Sequence, residues 1–363
     1  NHHIKFDTNL IWELREVPLD EEDKVFVPFV NTVVYAPVPY VPQVLGILVG
    51  KIAGASAIGL IYFARIFNLI FFLALSYWAI VKTPVFKWVF CFLWLTPTTV
   101  FQAASASVDA LTFGICFVVI AHFLFYAFCD EASIGKREIL KIFVFCFLAA
   151  LCKQAYIFLP LLFLTLPVRK FRSRAIYFAV FFALLFVCAA SVGAWSALVK
   201  PIYMPYRGDI EINPDAQLAF ILGDPFGFLK IIIASYLKLS GYYFLTFFGQ
   251  LTWLDLFVPR WLPVVLFVVL LGVALLDKNP EVKISKLDRG IFFVIAILTA
   301  LLVATLLYMT WSPIGGDRVA GIGVSEQDTA CRGAIVDRRP GAHAGGDVGR
   351  VEDDLGGRGV TTR

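Results

Sequence analysis

Long apolar runs without charges recur along this chain, and they constrain its fold more than any other feature. A helix needs ~20 apolar residues to cross the ~30 Å hydrocarbon core of a bilayer. Only 16% of the residues are charged and 60% are hydrophobic, whereas soluble domains carry roughly 25% charged residues. The sequence therefore predicts an all-α fold, a polytopic transmembrane helical bundle. The predicted spans are Ala57–Val81, Val85–Gln102, Ala110–Phe128, Ala175–Ser196, Trp261–Leu276 and Ile291–Met309.

Basic residues gather in four connectors, and the positive-inside rule places all four on the cytoplasmic side. We therefore expect an extracytoplasmic loop region over 1–40 and a transmembrane domain over 41–318. That domain includes a long extracytoplasmic loop at about 199–260, and a polar tail follows over 319–363. The basic clusters are Lys82 with Lys87; Lys136, Arg137 and Lys141; Arg169, Lys170, Arg172 and Arg174; and Lys278, Lys283, Lys286 and Arg289.

The positive-inside rule also decides whether two further apolar segments cross the membrane. The segment between the second and third clusters must turn back, because one crossing would separate those clusters; its predicted apex is Cys152–Gln154. The first arm, Ile142–Leu151, would then measure ~15 Å, and Lys153 would face an extracytoplasmic cavity. Leu229–Phe248 is placed at the membrane interface, because a crossing there would put the last basic cluster outside.

The stretch APVPYVPQVLGILVGKIAG, Ala36 to Gly54, is too short to span a bilayer. Its prolines at 37, 39 and 42 are expected to delay the helix. We predict a short interfacial or re-entrant helix from Gln43 to Lys51 that forms part of a site's wall.

The two ends of the chain differ from the rest. From Val319 to Arg363 there is no Phe, Tyr, Trp or Lys, which indicates either a disordered tail or a shifted reading frame after about Gly321; we favour the shifted frame. The chain starts at Asn1 with no signal peptide before its first polar stretch, and we expect it to be a fragment of a longer protein.

A set of short motifs, in order along the chain, resembles the bacterial membrane family called domain of unknown function 2142 (DUF2142). That family is in turn similar to the glycosyltransferase C superfamily, multi-span enzymes that take sugars from polyprenyl-phosphate carriers at the outer membrane face. The motifs are PYVPQ at Pro39–Gln43, RIFN at Arg65–Asn68, ASASVDAL at Ala104–Leu111, KQAYIFLPL at Lys153–Leu161, GQLTWLDLFVP at Gly249–Pro259 and WSPIGGDRVAGI at Trp311–Ile322.

The resemblance implies a multi-pass protein of the bacterial plasma (inner) membrane with its site on the extracytoplasmic side. The implied partners are membrane lipid, a polyprenyl-phosphate-linked sugar donor and an unidentified glycan acceptor. In the family, GDRVAGI would precede a Gln-Gly-Arg-Tyr-Phe-like motif and more spans, but GVSEQDTACRG stands here. An earlier span and an Asp-Glu motif of the first outer loop would lie before Asn1.

Such a transferase needs a carboxylate or other base to activate the acceptor hydroxyl. One candidate is Glu22 in the run Asp20–Asp23, which is otherwise a solvated charged face. Asp109 opens the third predicted span behind Ser105 and Ser107 and could equally cap the helix. Asp255 lies in WLDLF, and its alternative is a loop turn.

The transferase also needs cations to hold the lipid phosphate. Arg65 lies about two turns inside the first span, where a charge indicates function, and Asn68 should share its helix face. The alternative for Arg65 is an interhelical bond to Asp109 or Gln102. Lys153 is the second candidate, with snorkelling to the interface as its alternative. Gln43 and Arg318, the latter after the Gly315-Gly316 pair, are further candidates for the cavity wall.

Metal, cofactor and nucleic-acid sites are not indicated. The histidines and cysteines lack metal-ligand spacing, and the net charge of +4 is small. We expect no built-in cofactor; a divalent cation is compatible with the chemistry, although no residue pattern indicates one.

Two functions of different classes fit these residues: a glycosyltransferase, or a transporter or lipid-carrier flippase. A transporter would be expected to show paired halves with matching broken helices, and the sequence shows a single broken hairpin. A third possibility is an inactive truncated product.

Overall fold

The computed structural model describes residues 34–130, 132–203, 212–251 and 256–319, with single positions at 9, 11, 13, 15, 17 and 32. The carboxylates Glu22 and Asp255 lie outside the described residues, as do the acidic run around Glu22 and the tail from 320 onward.

The described chain is almost entirely helical, which confirms the predicted all-α class. The one ladder within the described residues is a two-residue antiparallel pair, β1 (Gln250–Leu251) with β2 (Leu256–Phe257). Short 3₁₀ helices occur at Val38–Tyr40 and Val168–Lys170, and a long one at Gln154–Thr165. The α-helices are α1 (Val41–Ile52), α2 (Ala57–Lys82), α3 (Lys87–Trp94), α4 (Pro97–Ala103), α5 (Asp109–Phe128), α6 (Lys136–Cys152), α7 (Arg174–Val199), α8 (Pro214–Gly223), α9 (Pro225–Gly249), α10 (Leu262–Leu276) and α11 (Lys286–Trp311).

Among the described residues, α2, α5, α7, α9 and α11 are long and apolar enough to cross a membrane. Helix α5 is the centre of the bundle: 72% of its apolar window is buried, against 22% or less in each of the other four. The remaining helices leave broad apolar faces exposed, as lipid-facing helices do.

The predicted span Val85–Gln102 is wrong as a single helix. It breaks between α3 and α4, where Thr96 is extended, with φ −62° and ψ 144°. Pro97 explains the break, since it lacks an N–H donor and disfavours helical geometry in the residue before it.

The connectors that carry the basic clusters meet at one end of the bundle, called here the basic end. The ammonium of Lys82 lies 5.2 Å from the ring centre of Tyr126, and Lys170 donates to the carbonyl of Tyr126 at 2.8 Å. Asp277, which precedes the last cluster, accepts from the N–H of Trp88 at 2.7 Å. The grouping that the positive-inside rule requires is therefore present.

The predicted apex at residues 152–154 is confirmed, but its first arm is longer than expected. Helix α6 has 17 residues and is ~25 Å long, rather than the ~15 Å predicted. The return arm is the long 3₁₀ helix of 12 residues, which covers ~24 Å because a 3₁₀ helix rises ~2 Å per residue. The two arms match in length, so Lys153 lies at the end opposite the basic end.

The proline-rich stretch before α1 forms helix earlier than predicted. A 3₁₀ turn covers Val38–Tyr40, and α1 starts at Val41 with Pro42 in its first turn, a position that needs no N–H donor. The spacing Gly46-xxx-Gly50 then brings α1 against α2: a Cβ at Gly46 would lie 2.8 Å from the Cα of Ala64. Glycines at this spacing permit such close crossings.

Helix α9 contains the segment assigned to the interface. Its first turn packs through Phe228 on Tyr308, near the end of α11, with ring centres 5.0 Å apart. Its last turn packs through Phe248 on Phe267 at 6.3 Å, ~15 Å along α10 from Asp277 at the basic end. These contacts favour an oblique helix that stops short of the basic end. The length of α9 alone would permit it to span the membrane. The assignment of this segment to the interface therefore stays a prediction.

Candidate functional site

A cavity of about 480 Å³ opens at the end of the bundle opposite the basic end. Four parts of the chain line it: the segment before α1, the start of the long 3₁₀ helix, the segment after α7 and the last three turns of α11. Its volume lies within the ~300–1,000 Å³ typical of small-molecule sites. The polar lining residues are Tyr35, Lys153, Gln154, Tyr156, Tyr203 and Thr310.

Lys153 is the cation of this lining, and it pairs with Asp109. Its Nζ lies 2.5 Å from Asp109 Oδ1, and the two side chains are 27% and 21% exposed. Lys153 reaches the cavity because the chain turns there from α6 into the 3₁₀ helix and leaves its backbone extended. Asp109 stands in the first turn of α5, where the helix dipole favours a negative charge.

The capping alternative for Asp109 does not hold. The N-cap of α5 is Val108, and it makes no side-chain capping bond. The Asp109 N–H instead donates to Ser107 Oγ at 3.1 Å. The carboxylate is therefore committed to Lys153 rather than to the helix start.

An aromatic ring lies beside the Lys153 ammonium, and further tyrosines line the same cavity. The Tyr35 ring centre lies 5.7 Å from Nζ, and Trp195 of α7 holds the preceding residue by donating to the Val34 carbonyl at 3.1 Å. Burial raises the pKa of the Tyr203 phenol, and a hydrogen bond with Thr310 lowers it in part. Tyr203 thus presents a neutral hydroxyl to the cavity at physiological pH.

Gln43 and Asn68, predicted to bind substrate, hold backbone instead. Both are buried. Gln43 Nε2 donates to the Ser107 carbonyl at 2.9 Å, and Asn68 Nδ2 donates to the carbonyls of Ser105 and Ser107 at 2.8 and 3.0 Å. These bonds fix the segment that leads into Asp109, so both residues position the ion pair from behind.

Arg65 also bonds this segment, but from the surface. Its Nε donates to the Ala104 carbonyl at 2.7 Å, so neither predicted acceptor, Asp109 or Gln102, is its partner in that bond. Arg65 is exposed and Asn68 is buried, but both side chains bond the same segment, in agreement with the helix face they were predicted to share. Arg65 is not among the residues that line the cavity.

Arg318 is likewise exposed and outside the cavity lining. The glycines before it serve to tie α8 to the end of α11: the Gly315 N–H donates to Gln217 Oε1 at 3.0 Å, and Tyr308 donates to the Gly316 carbonyl at 2.7 Å. Gly315 has φ +68°, a conformation that favours glycine.

The described residues contain no group of three or more His, Cys, Asp or Glu side chains that could hold a metal ion. The expectation of no metal site stays a prediction, because two of the candidate carboxylates lie outside the described residues.

Sequence reasoning found Lys153 and Asp109 separately but missed the aromatic lining. One signal was available: Tyr156 follows Lys153 by three residues at the predicted apex. Tyr35, Tyr203 and Thr310 come from distant parts of the chain, and only their shared position at predicted outer ends of helices could have suggested a common site.

Comparison with known proteins gives one match. The model of DUF2142, a family described as predicted membrane proteins, matches residues 1–323. No curated protein and no solved structure matches the chain. The resemblance that the motifs indicate is thus confirmed.

Proposed function

The chain belongs to the DUF2142 family of predicted membrane proteins, and from that premise we propose that it transfers sugar from a polyprenyl-phosphate carrier to a cell-surface glycan at the extracytoplasmic face of the bacterial inner membrane. The observation that supports this most is the Lys153 ammonium in the cavity wall, 2.5 Å from the Asp109 carboxylate. The site lies opposite the basic end, which is the extracytoplasmic side if the positive-inside rule holds.

The cavity lining suits a phosphorylated sugar. Lys153 supplies a positive charge for the phosphate, and among the described lining residues none is a carboxylate. The hydroxyls of Tyr156, Tyr203 and Thr310 can donate to or accept from sugar hydroxyls. Tyrosine rings also offer an apolar body with a polar tip, which matches the mixed surface of a pyranose.

Access from the membrane is provided by α11. Val303, Leu306 and Leu307 contribute an apolar wall to the cavity, and Trp311 at the end of that helix is 40% exposed. Tryptophan at a helix end is typical of the headgroup level of a bilayer. The isoprenoid tail of a donor would therefore lie along α11 with its phosphate directed at Lys153.

Asp109, which contacts the lining residue Lys153, is the proposed base for the acceptor hydroxyl. Asp255 and Glu22 remain proposals for the same role from outside the described residues. Arg65 and Arg318, which are not cavity residues, are proposed as secondary contacts to the lipid phosphate or headgroups.

Transport or flipping of a lipid-linked sugar remains the second candidate, and one observation favours it. The described residues contain two broken helical segments, at Thr96-Pro97 and at Lys153, where the sequence indicated one. Discontinuous helices at a binding site are common in transporters.

Reconstituted protein distinguishes the two functions. Vesicles would receive a radiolabelled polyprenyl-phosphate sugar in one leaflet, and both transfer to added glycan acceptors and movement of label between leaflets would be followed. A transferase releases polyprenyl phosphate and labels the acceptor, and Lys153→Met abolishes this, whereas Lys283→Met, an exposed lysine of the basic end, does not. Label that changes leaflet without any transfer would refute the transferase.

A further inference from the structure

We propose that Lys153 changes partners during binding: it pairs with Asp109 in the empty cavity and with the phosphate of an isoprenoid phosphate ester in the filled one. This inference rests on the proposed function for its class of ligand. It adds that Asp109 competes with that ligand for the same ammonium.

The position of the pair makes the exchange possible. Lys153 borders the cavity and Asp109 does not, so the carboxylate lies behind the ammonium as seen by an entering ligand. A lysine ammonium has three N–H donors, and within the described residues Asp109 is the acceptor recorded for it. The ammonium therefore has N–H donors left for a phosphate that enters the cavity.

Two anions beside one ammonium cannot both be compensated. A phosphate next to the Asp109 carboxylate would be a like-charge neighbour and would repel it. The first turn of α5 stabilises a negative charge by only ~0.3–1 kcal/mol. When Lys153 turns to the phosphate, the Asp109 carboxylate loses its cation and is free to accept the proton of the acceptor hydroxyl.

The cavity indicates a lipid phosphate rather than free phosphate. Its wall combines the Lys153 ammonium with the apolar residues Val303, Leu306 and Leu307 of α11. An isoprenoid chain buries apolar surface against such a wall, at about 25 cal/mol per Å², and inorganic phosphate gains nothing from it.

The test compares binding of geranyl phosphate, inorganic phosphate and geraniol to the full chain in detergent by titration calorimetry. If Asp109 competes for Lys153, Asp109→Asn should bind geranyl phosphate about tenfold more tightly, equivalent to ~1.4 kcal/mol. Lys153→Met and the double variant should both bind it at least about tenfold more weakly than wild type. Geraniol and inorganic phosphate should bind weakly to every variant.

A matched control comes from the Lys200–Asp215 pair, which is 3.2 Å apart and 72% and 78% exposed. Asp215→Asn removes a carboxylate from a surface pair and should leave the affinity for geranyl phosphate unchanged. An Asp109→Asn protein that elutes and melts like a folded protein but binds geranyl phosphate no better than wild type would overturn the exchange. Equal binding of inorganic phosphate and geranyl phosphate would overturn the lipid source.

A second measurement uses wild-type protein and so does not depend on how any variant folds. An apolar carbodiimide modifies carboxyl groups in membrane proteins, least readily those held in an ion pair, and mass spectrometry would locate the label. Geranyl phosphate should increase labelling at Asp109, and unchanged or reduced labelling would contradict the exchange. Because neither measurement needs a sugar, exchange without transfer would refute the proposed transferase alone, and transfer without exchange would refute this inference alone.

Discussion

Replacing Lys153 with methionine should lower the free energy of unfolding by about 2–3 kcal/mol, because it removes the cation from the Asp109 carboxylate. Breaking a buried ion pair by removing one partner costs ~3–5 kcal/mol. This pair retains 27% and 21% side-chain exposure, and the first turn of α5 offsets ~0.3–1 kcal/mol. Both facts place the expected loss at or below the lower end of the range.

The double variant Lys153→Met with Asp109→Asn should recover at least half of that loss, because no charge then remains unpaired. Lys200→Met breaks an exposed pair and should cost less than ~1 kcal/mol. The assay is unfolding of the purified protein in mixed micelles of increasing dodecyl sulfate, followed by far-ultraviolet circular dichroism. If Lys153→Met were as stable as Lys200→Met, or the double variant as unstable as Lys153→Met, the ion pair would not be a coupled buried unit.

Three further variants test the parts of the structure that support this site. Gly46→Ala should destabilise the protein by ~1–3 kcal/mol, because its new methyl group would meet the backbone of α2; Gly272→Ala, with no atom within 4 Å, should cause no loss in the same dodecyl sulfate titration. Asn68→Ala removes both bonds to the segment before Asp109 and should tighten geranyl phosphate binding about threefold, because a less firmly held Asp109 competes less well for Lys153; unchanged affinity would exclude a positioning role. Arg65→Ala should weaken calorimetric binding of geranyl phosphate by less than about threefold, because Arg65 is proposed only as a secondary contact, and a loss as large as that of Lys153→Met would move the phosphate site from the cavity to the surface of α2.

The helices that depend on local hydropathy could be predicted from the sequence. Five predicted spans, beginning at Ala57, Ala110, Ala175, Trp261 and Ile291, match the helices α2, α5, α7, α10 and α11 to within about five residues, because each run is uniformly apolar. The break at Pro97 was missed because an average over apolar residues ignores a single absent N–H donor. The apex at Lys153 was found because the positive-inside rule compares basic clusters that lie far apart along the chain and does not depend on the local pattern.

The pairing within the site could not be predicted in the same way. Lys153 and Asp109 are 44 residues apart, and each was assigned a role by itself, with Arg65 as the expected neighbour of Asp109. Which cation meets which carboxylate depends on how α5 and α6 pack, and packing of apolar helices in a bilayer follows small-residue contacts and shape rather than charge. Gln43 and Asn68 were identified as important polar residues, but their backbone partners at 105–107 belong to the same long-range arrangement.

The ion pair itself argues for function more than for stability. A well-packed apolar pair often replaces a buried salt bridge with no loss, and sometimes a gain, in stability, so the fold alone does not require Asp109 and Lys153. Ionisable residues inside a membrane bundle are costly and mark sites by default. Here the pair also borders a cavity, presents its cation to that cavity and keeps its anion behind. That order matters physically, because an entering anion meets the ammonium first, and its binding changes the state of the carboxylate that a transfer reaction would use as its base.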